Sequence, residues 1–297
     1  GYDVGRSAGL MAATGIIAPI IPPSVGFILL GVTANLSITR LFMSGIVPGL
    51  LMALSLVIVW WFLSRRDDVE PMERKSRAEV WSTIRAASWA MVMPVIIIGG
   101  LKFGVFTPTE AGIIAAAYAL VISLVVYREM TMADLYGAIL SAAKMTAVIM
   151  FLVAASMVSA WLITIANIPF QVVQLLSPLA DNPRMLMLAI ALAVLLIGMV
   201  LDFTPAILIL IPVLMPVVKA AGIDPVYFGV VFVMTSAIGM ITPPVGAVLN
   251  AVCGVGKIPV ERAVKGILPF LAAEVAVVII LILIPDLVTV PASWLYK

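Results

Sequence analysis

The stretch Ile238-Gly239-Met240-Ile241-Thr242-Pro243-Pro244-Val245-Gly246 interrupts an apolar segment that runs from Val226 to Val255. Two adjacent prolines remove main-chain donors and end a helix, so this stretch predicts a break between two half-helices. In hydrocarbon an unwound backbone leaves N–H and C=O groups without partners, and it survives only where it is buried in protein or faces a polar cavity. The break is therefore the first candidate for a binding site.

A second break of the same kind lies near the start of the chain. The stretch Ala18-Pro19-Ile20-Ile21-Pro22-Pro23-Ser24 places its proline pair 221 residues before Pro243-Pro244. When the chain is compared with itself at that shift, turn and polar residues coincide without a gap: Gly1 with Gly222, Asp3 with Asp224, Thr14 with Thr235, Gly45 with Gly266 and Pro48 with Pro269. An apolar composition alone does not produce such matches. We predict an internal repeat in which each copy carries one broken helix.

The composition predicts an all-α polytopic membrane protein. The chain is 64% hydrophobic and only 11% charged, and its mean hydropathy is +1.24. Several apolar runs have about the 20 residues that a helix needs to span a bilayer, whereas a barrel would show short alternating stretches. With no histidine and a single cysteine, Cys253, the usual zinc, haem and hydrolase arrangements are missing, so we expect no enzyme. The net charge is only +2 and the charges are confined to loops, so we expect no nucleic-acid partner.

The charge distribution predicts the orientation of the two copies. The stretch from Arg65 to Arg77 is the longest polar one, and its basic residues assign it to the cytoplasm. We count five crossings between Gly1 and Gly222, an odd number, so the copies should have inverted topology. The segments Met185 to Leu201 and Pro205 to Val218 fit two full spans or one re-entrant hairpin, and the acidic tip Asp202-Phe203-Thr204 favours the hairpin.

Gly1 does not resemble a natural start, so we expect the chain to be the carboxy-terminal part of a longer polypeptide. The remaining elements are predicted from helix caps and hydrophobic periodicity. In chain order we expect a connector at Ser37 to Ser44, then an interfacial helix at Arg77 to Ser88 followed by a crossing at Trp89 to Phe106. A cap at Thr107 to Glu110 should begin the crossing that ends at Tyr127, and a second interfacial helix after Arg128 should precede a crossing at Met145 to Ile165. A polar loop at Asn167 to Arg184 and a last crossing at Gly266 to Ile284 complete the prediction.

The chemistry at the breaks should come mostly from the main chain. Each proline frees the carbonyl four residues earlier, so Pro243 and Pro244 should release those of Gly239 and Met240, and Pro22 and Pro23 those of Ala18 and Pro19. With the hydroxyl of Thr242 or Ser24, these oxygens would suit Na⁺. Half-helix amino ends could instead hold an anionic substrate, and a plain packed kink is the structural alternative.

Two acidic residues stand at predicted membrane depth. A carboxylate there is costly unless it meets a cation or a water-filled cavity, which assigns Asp202 a cation-linked role, with a helix N-cap as the alternative. Glu274 lies inside the last crossing and aligns with Ala53 at the 221-residue shift. It could relay a proton or pair with a lysine.

Five groups of residues resemble the large membrane subunit, of DctM or SiaM type, of tripartite ATP-independent periplasmic (TRAP) transporters. They are Gly15-Ile16-Ile17 with Pro22-Pro23-Ser24; Leu41-Phe42 with Gly45-Ile46-Val47-Pro48-Gly49; Thr107-Pro108-Thr109-Glu110-Ala111-Gly112; Asp202-Phe203-Thr204-Pro205; and Gly222-Ile223-Asp224-Pro225-Val226 with Phe228-Gly229 and Thr242-Pro243-Pro244-Val245-Gly246. The resemblance covers nearly the whole chain, but the family's first hairpin should lie before Gly1.

This resemblance implies a sodium-coupled elevator transporter of the bacterial inner membrane. Its transport domain would comprise residues 1–36 and 183–255, and its scaffold and arm helices residues 37–182 and 256–297. It would import an organic acid (a C4-dicarboxylate, sialic acid or a related sugar acid) that a periplasmic binding protein delivers, beside a small membrane subunit of DctQ or SiaQ type.

The resemblance also implies two Na⁺ sites and a substrate site. Site A would use Ala18, Ile21 and Ser24 together with the hairpin expected before Gly1. Site B would use Asp202, Gly239, Thr242 and Val245, and the substrate would lie near Pro22, Pro23, Thr204 and Pro243. Three alternatives stay open: a proton-coupled organic-anion transporter that uses Asp202 and Glu274, an anion channel, and, more remotely, an intramembrane protease.

Overall fold

The computed structural model describes residues 2–65 and 75–296, and all of its regular secondary structure is helical. Within those ranges the elements are α1 Val4–Gly15, α2 Val25–Ala34, α3 Ile38–Ser64, α4 Arg77–Lys102, α5 Pro108–Val121 with the π-helical turn Ile122–Tyr127, α6 Met132–Ile165, α7 Ile168–Ala180, α8 Pro183–Gly198, α9 Phe203–Ala220, α10 Pro225–Gly239, α11 Ala247–Gly256, α12 Val260–Leu283 and α13 Asp286–Tyr296.

Six helices in the described ranges are long and apolar enough to cross a membrane. They are α3, α4, α5 with its π-helical turn, α6, α9 and α12. At 1.5 Å per residue, about 20 helical residues span the hydrocarbon core. The chain is therefore an all-α polytopic membrane protein, as its composition predicts.

Both predicted broken helices are confirmed. The first consists of α1 and α2, separated by non-helical residues 16–24, and the second of α10 and α11, separated by residues 240–246. The two copies also share their details at the 221-residue shift. Asp3 caps α1 by accepting from the Arg6 N–H at 2.8 Å, and Asp224 caps α10 by accepting from the Tyr227 N–H at 2.7 Å. Both proline pairs have a cis peptide bond.

The two copies run in opposite directions along α12. At the amino end of α12, a Cβ placed on Gly5 of α1 would lie 2.6 Å from the carbonyl oxygen of Arg262. At the carboxyl end, the Tyr227 hydroxyl of α10 donates to the carbonyl of Leu281 at 3.2 Å. Because α1 and α10 begin at opposite ends of the same helix, the repeat is inverted, as the odd crossing count predicts.

The described chain divides into two compact units, one drawn from Gly1–Val69 and Ala155–Lys297 and the other from Glu70–Ala154. In the second unit, α4 and α5 are joined by tyrosine hydroxyls: Tyr118 donates to the Trp89 carbonyl and Tyr127 to the Ala86 carbonyl, each at 2.7 Å. The predicted cap at Thr107 is a capping box with Glu110 and is confirmed. The division into transport and scaffold residues stays a prediction.

Several predicted element boundaries are wrong. Residues 38–44, expected as a connector, form the first turns of α3, because Ser37 caps the helix and none of these seven residues is a proline or a glycine. The two interfacial helices are not separate elements either. Residues 77–102 and 132–165 each form one continuous helix, since no proline or glycine stands at the expected junctions, Ser88-Trp89 and Lys144-Met145. The last crossing begins at Val260, six residues earlier than expected.

Two helices were not predicted. The expected loop from Asn167 to Arg184 contains α7, because Pro169 occupies the first turn of the helix, where a proline fits without loss of a hydrogen bond. The second unpredicted helix is α13, which follows α12. The predicted cytoplasmic loop falls largely on residues 66–74, which lie outside the described residues.

Candidate functional site

The two breaks and the α8–α9 connection lie against one another in the first unit. A Cβ built on Gly239, at the end of α10, would lie 2.7 Å from the Cα of Gly198, at the end of α8. A Cβ on Gly26 of α2 would lie 2.5 Å from the ring of Phe203, the first residue of α9. A Cβ on Gly15 would lie 3.5 Å from Val248 of α11. The structure therefore brings together the three segments that sequence analysis selected.

In the second break, the carbonyls expected to be free accept hydrogen bonds. The Gly239 carbonyl accepts from the Thr242 N–H at 2.9 Å, and the Met240 carbonyl accepts from the Val248 N–H at 3.0 Å. The prediction of two unpaired oxygens here is wrong, because the chain turns back on itself and supplies other N–H groups in place of those that the prolines lack. Both oxygens keep a second lone pair for a cation.

The Thr242 side chain is half-buried in the second break. Its Oγ1 donates to the carbonyl of Ile238 at 2.7 Å. A hydroxyl has one hydrogen and two lone pairs, so this bond fixes the side-chain rotamer and leaves the oxygen able to accept or to coordinate. The geometry suits both a cation ligand and a structural hydroxyl.

In the first break, the Pro19 carbonyl has a donor, whereas those of Ala18 and Ile21 have none in the part of the chain that the structure describes. The Ser24 hydroxyl donates to the Pro19 carbonyl and accepts from the Phe27 N–H at 3.1 Å, so the expectation of an unpaired Pro19 oxygen is wrong. Among the described residues, no hydrogen bond reaches the carbonyl oxygens of Ala18 and Ile21. Both residues are exposed, whereas Ser24 is buried. Two carbonyls without a donor from the described part of the protein thus belong to exposed residues of this break.

Asp202 is exposed at the start of α9. Its Oδ1 accepts from the Phe203 N–H at 2.9 Å, so it acts as the N-cap of a helix that begins two residues before Pro205. The cap reading from the sequence is confirmed, and the cation-linked role stays a prediction. The two roles are compatible, because a carboxylate can accept several bonds.

Sequence analysis missed Asn250, which lies one turn into α11. Its Nδ2 donates to the carbonyl of Val245, one of the predicted Na⁺ ligands. Both residues are exposed, Val245 by 44%. The signal was present in the sequence, because a lone amide in the apolar helix Ala247–Gly256 needs a polar partner.

Three helix amino ends occur in the segments that meet here, and they differ in capping. Ser24 caps α2 and Asp202 caps α9, but α11 follows Gly246, at φ 52°, without a side-chain cap. Uncapped N–H groups at a helix start attract anions. The predicted substrate residues lie in the same segments: Pro22 is buried, Pro23 is exposed, and Thr204 and Pro243 are half-buried.

The chain contains two inverted copies, each with a broken helix, and the two breaks meet beside the α8–α9 connection. This arrangement is that of a membrane transporter. Residues 1–287 match the family model of the tripartite ATP-independent periplasmic transporter, DctM component. The chain therefore belongs to the DctM family, the large permease component of TRAP transporters, and is a multi-pass protein of the bacterial inner membrane. Members of this family are transport proteins, in agreement with the prediction that the chain is not an enzyme.

Individual relatives carry names of different acids. The chain is 51% identical to the 2,3-diketo-L-gulonate TRAP transporter large permease protein YiaN of Escherichia coli K12, over 99% of this chain and 69% of that protein. It is 36% identical to the sialic acid TRAP transporter large permease protein SiaM of Vibrio cholerae, over 96% and 67%. It is 33% identical to the C4-dicarboxylate TRAP transporter large permease protein DctM of Pseudomonas aeruginosa, over 99% and 69%.

Proposed function

We propose that the chain forms the translocation site of a sodium-coupled importer of an organic acid. The observation that carries this proposal is the meeting of the two breaks and the Asp202 connection through the contacts of Gly239 with Gly198 and of Gly26 with Phe203. Main-chain oxygens, a hydroxyl and a carboxylate then lie in the same segments as helix amino ends. Oxygens of unwound backbone coordinate Na⁺, and helix amino ends attract carboxylates.

We assign two Na⁺ sites to these oxygens. In site A, the unpaired carbonyls of Ala18 and Ile21 would coordinate the ion, and Ser24 would hold the turn through its bond to Pro19. In site B, Asp202 would supply charge to a shell formed by the Gly239 and Val245 carbonyls and the Thr242 hydroxyl. The Asn250 amide supports this arrangement because it fixes the direction of the Val245 carbonyl.

The substrate carboxylate would bind at the amino end of α11. This end lacks a side-chain cap. The Val248 N–H donates to the Met240 carbonyl, but among the described residues the N–H groups of Ala247 and Leu249 have no partner and are available to an anion. The starts of α2 and α9 instead carry the side-chain caps Ser24 and Asp202. The relative with 51% identity is named for 2,3-diketo-L-gulonate, a sugar acid. We therefore place the substrate in the sugar-acid class, with sialic acid and C4-dicarboxylates as the competing candidates.

Transport would follow an elevator mechanism with two partners. The family name describes a tripartite, periplasmic system, which supports a small membrane subunit and a periplasmic binding protein as partners of this chain. The inverted repeat supports alternating access, in which one body moves against another around a fixed site. The broken helices with α8 and α9 would form the moving body.

Reconstituted vesicles test this proposal. The complete transporter and its cognate binding protein, loaded with labelled sugar acid, should accumulate substrate when a Na⁺ gradient is imposed and should not when only a pH gradient is imposed. Uptake driven by the pH gradient in the absence of Na⁺ would overturn sodium coupling and would favour the proton-coupled alternative. Flux without the binding protein and without saturation would indicate a channel.

A further inference from the structure

Glu274 lies in the middle of α12, apart from the segments that form the candidate site. Its side chain is 0% exposed, and its Oε2 has no hydrogen-bond partner among the described residues. Its Oε1 lies 3.4 Å from the Oγ of Ser55, on α3. The first copy of the repeat has no acidic residue here, because the equivalent position is Ala53. Neither Na⁺ site explains an acidic side chain at this place.

The single hydrogen of Ser55 decides how this contact is made. The Ser55 Oγ lies 2.8 Å from the carbonyl oxygen of Met52 and 3.4 Å from Glu274. A serine hydroxyl donates only one hydrogen bond, and the shorter, better one goes to Met52. The contact between Ser55 and Glu274 is then a hydrogen bond only if Glu274 supplies the hydrogen. A carboxylic acid makes that bond, whereas a carboxylate would face another lone pair.

The surroundings of Glu274 do not supply a positive charge either. Among the described residues it forms no ion pair. Apart from Glu274, the titratable groups with described side chains on α12 and on the helices packed against it are Arg6, Arg40, Arg184, Tyr227, Cys253, Glu261, Arg262, Lys265 and Asp286.

All of these groups belong to one or the other end of α12. At the amino end, Arg6 is next to Gly5, whose Cβ position lies against the Arg262 carbonyl. The Cys253 carbonyl accepts a hydrogen bond from the Ile258 N–H, before α12 starts. Lys265 precedes Glu274 by nine residues, about 13 Å of helix. At the other end, the Tyr227 hydroxyl reaches Leu281, about 10 Å beyond Glu274, and Arg40, Arg184 and Asp224 line the cavities beside Tyr227. A buried carboxyl without a nearby cation neutralises by taking up a proton.

We propose that Glu274 is an intramembrane proton-binding site. It holds one proton at neutral pH and donates it in a hydrogen bond to the Ser55 Oγ, which in turn donates to Met52. The bond joins α3 to α12, the pair of helices that corresponds in the two copies of the repeat. This proposal is independent of sodium coupling, because none of the proposed Na⁺ ligands takes part in it.

Infrared spectroscopy of the complete, reconstituted transporter tests the proposal. At neutral pH, the difference spectrum between the wild type and Glu274→Gln should show the carbonyl stretch of a protonated carboxylic acid. Glu261→Gln is the matched control, because Glu261 is exposed at the start of the same helix and should contribute only carboxylate bands. Carboxylate bands assigned to Glu274 at neutral pH would overturn the proposal.

A second variant keeps the test decisive if Glu274→Gln does not assemble. Ser55→Ala removes the acceptor of the proposed bond, so the protonated-acid band of the otherwise unchanged transporter should shift to higher frequency. If Ser55→Ala leaves every protonated-carboxyl band in place, Glu274 does not donate to Ser55 and the proposal is wrong.

Discussion

At the scale of single residues, several oxygens of the candidate site already have one hydrogen-bond partner. Thr242 is the clearest case: its hydroxyl hydrogen goes to the Ile238 carbonyl at 2.7 Å, which orients the oxygen lone pairs for a further contact. Thr235 makes the same type of bond, to the Val231 carbonyl at 2.7 Å, within the buried part of α10. The two threonines differ in that only Thr242 belongs to a break.

The first prediction compares these threonines. Thr242→Ala should raise the Na⁺ concentration for half-maximal transport by about 2- to 10-fold. The loss of one oxygen ligand should cost about as much free energy as the loss of a hydrogen bond, ~0.5–1.5 kcal/mol. Thr242→Ser keeps the oxygen and should have a smaller effect. Thr235→Ala is the control that removes an equivalent bond outside the break. Equal Na⁺ dependence in the two alanine variants would assign Thr242 a structural role only.

The residues of the site were only partly predictable. The proline pairs show which N–H groups are missing, and the unpaired carbonyl of Ala18 follows from that rule. They do not show which other groups take over, because the Thr242 and Val248 N–H groups reach Gly239 and Met240 only after the backbone has turned. The Asn250 bond to Val245 depends on the same turn.

At the scale of helices, close approaches between backbones hold α1 against α12. A Cβ on Gly266 would meet the main chain of Gly5, and a Cβ on Gly9 would lie 2.7 Å from the main-chain nitrogen of Ile267. Without a hydrophobic driving force between helices in lipid, such contacts between small residues provide the packing.

The second prediction tests this packing. Gly266→Ala should lower the stability of the protein by about 1–3 kcal/mol, because the added methyl group meets rigid backbone and not a flexible side chain. Gly137→Ala is the control: this glycine of α6 has nothing within 4 Å of its Cβ position, so alanine should be neutral or should stabilise by up to about 1 kcal/mol. Thermal unfolding in detergent measures both. A stable Gly266→Ala protein would contradict the close contact.

The prolines predicted helix boundaries correctly in some places and wrongly in others, depending on their position. The pairs Pro22-Pro23 and Pro243-Pro244 each interrupt an apolar run, and the breaks were predicted from them alone. Pro169 and Pro183 also suggested a loop, but each lies at the start of a helix, where a proline is tolerated. The continuity of α4 and α6 could not be predicted from periodicity, because a change from an amphipathic to an apolar face does not end a helix.

At the scale of the molecule, the inverted repeat places chemically different ends on opposite faces of the membrane. The α11–α12 turn with Lys257 belongs to the end where α1 begins, and the α7–α8 turn with Asp181 belongs to the end where α10 begins, since Arg184 and Asp224 line the same cavity. Basic residues favour the cytoplasmic side, which assigns the Lys257 end to the cytoplasm.

The third prediction follows from this assignment. In a background without Cys253, a cysteine replacing Asp181 should react with an impermeant reagent added to the periplasmic side. Cysteines replacing Lys257 or Ser76 should react only after the cytoplasmic side is opened; all three positions are exposed in the structure. Labelling of Asp181 and Lys257 from the same side would contradict the inverted topology.

The Na⁺ dependence of Asp202→Asn tests the central claim, a cation site at the meeting of the breaks, most directly. Asparagine caps a helix about as well as aspartate, so α9 should stay intact while the charge is lost. We predict normal assembly and an apparent Na⁺ affinity lowered by about 10- to 100-fold in reconstituted vesicles. If Asp202→Asn transports with wild-type Na⁺ dependence while Asp202→Ala is merely unstable, Asp202 is only a cap and no carboxylate serves site B.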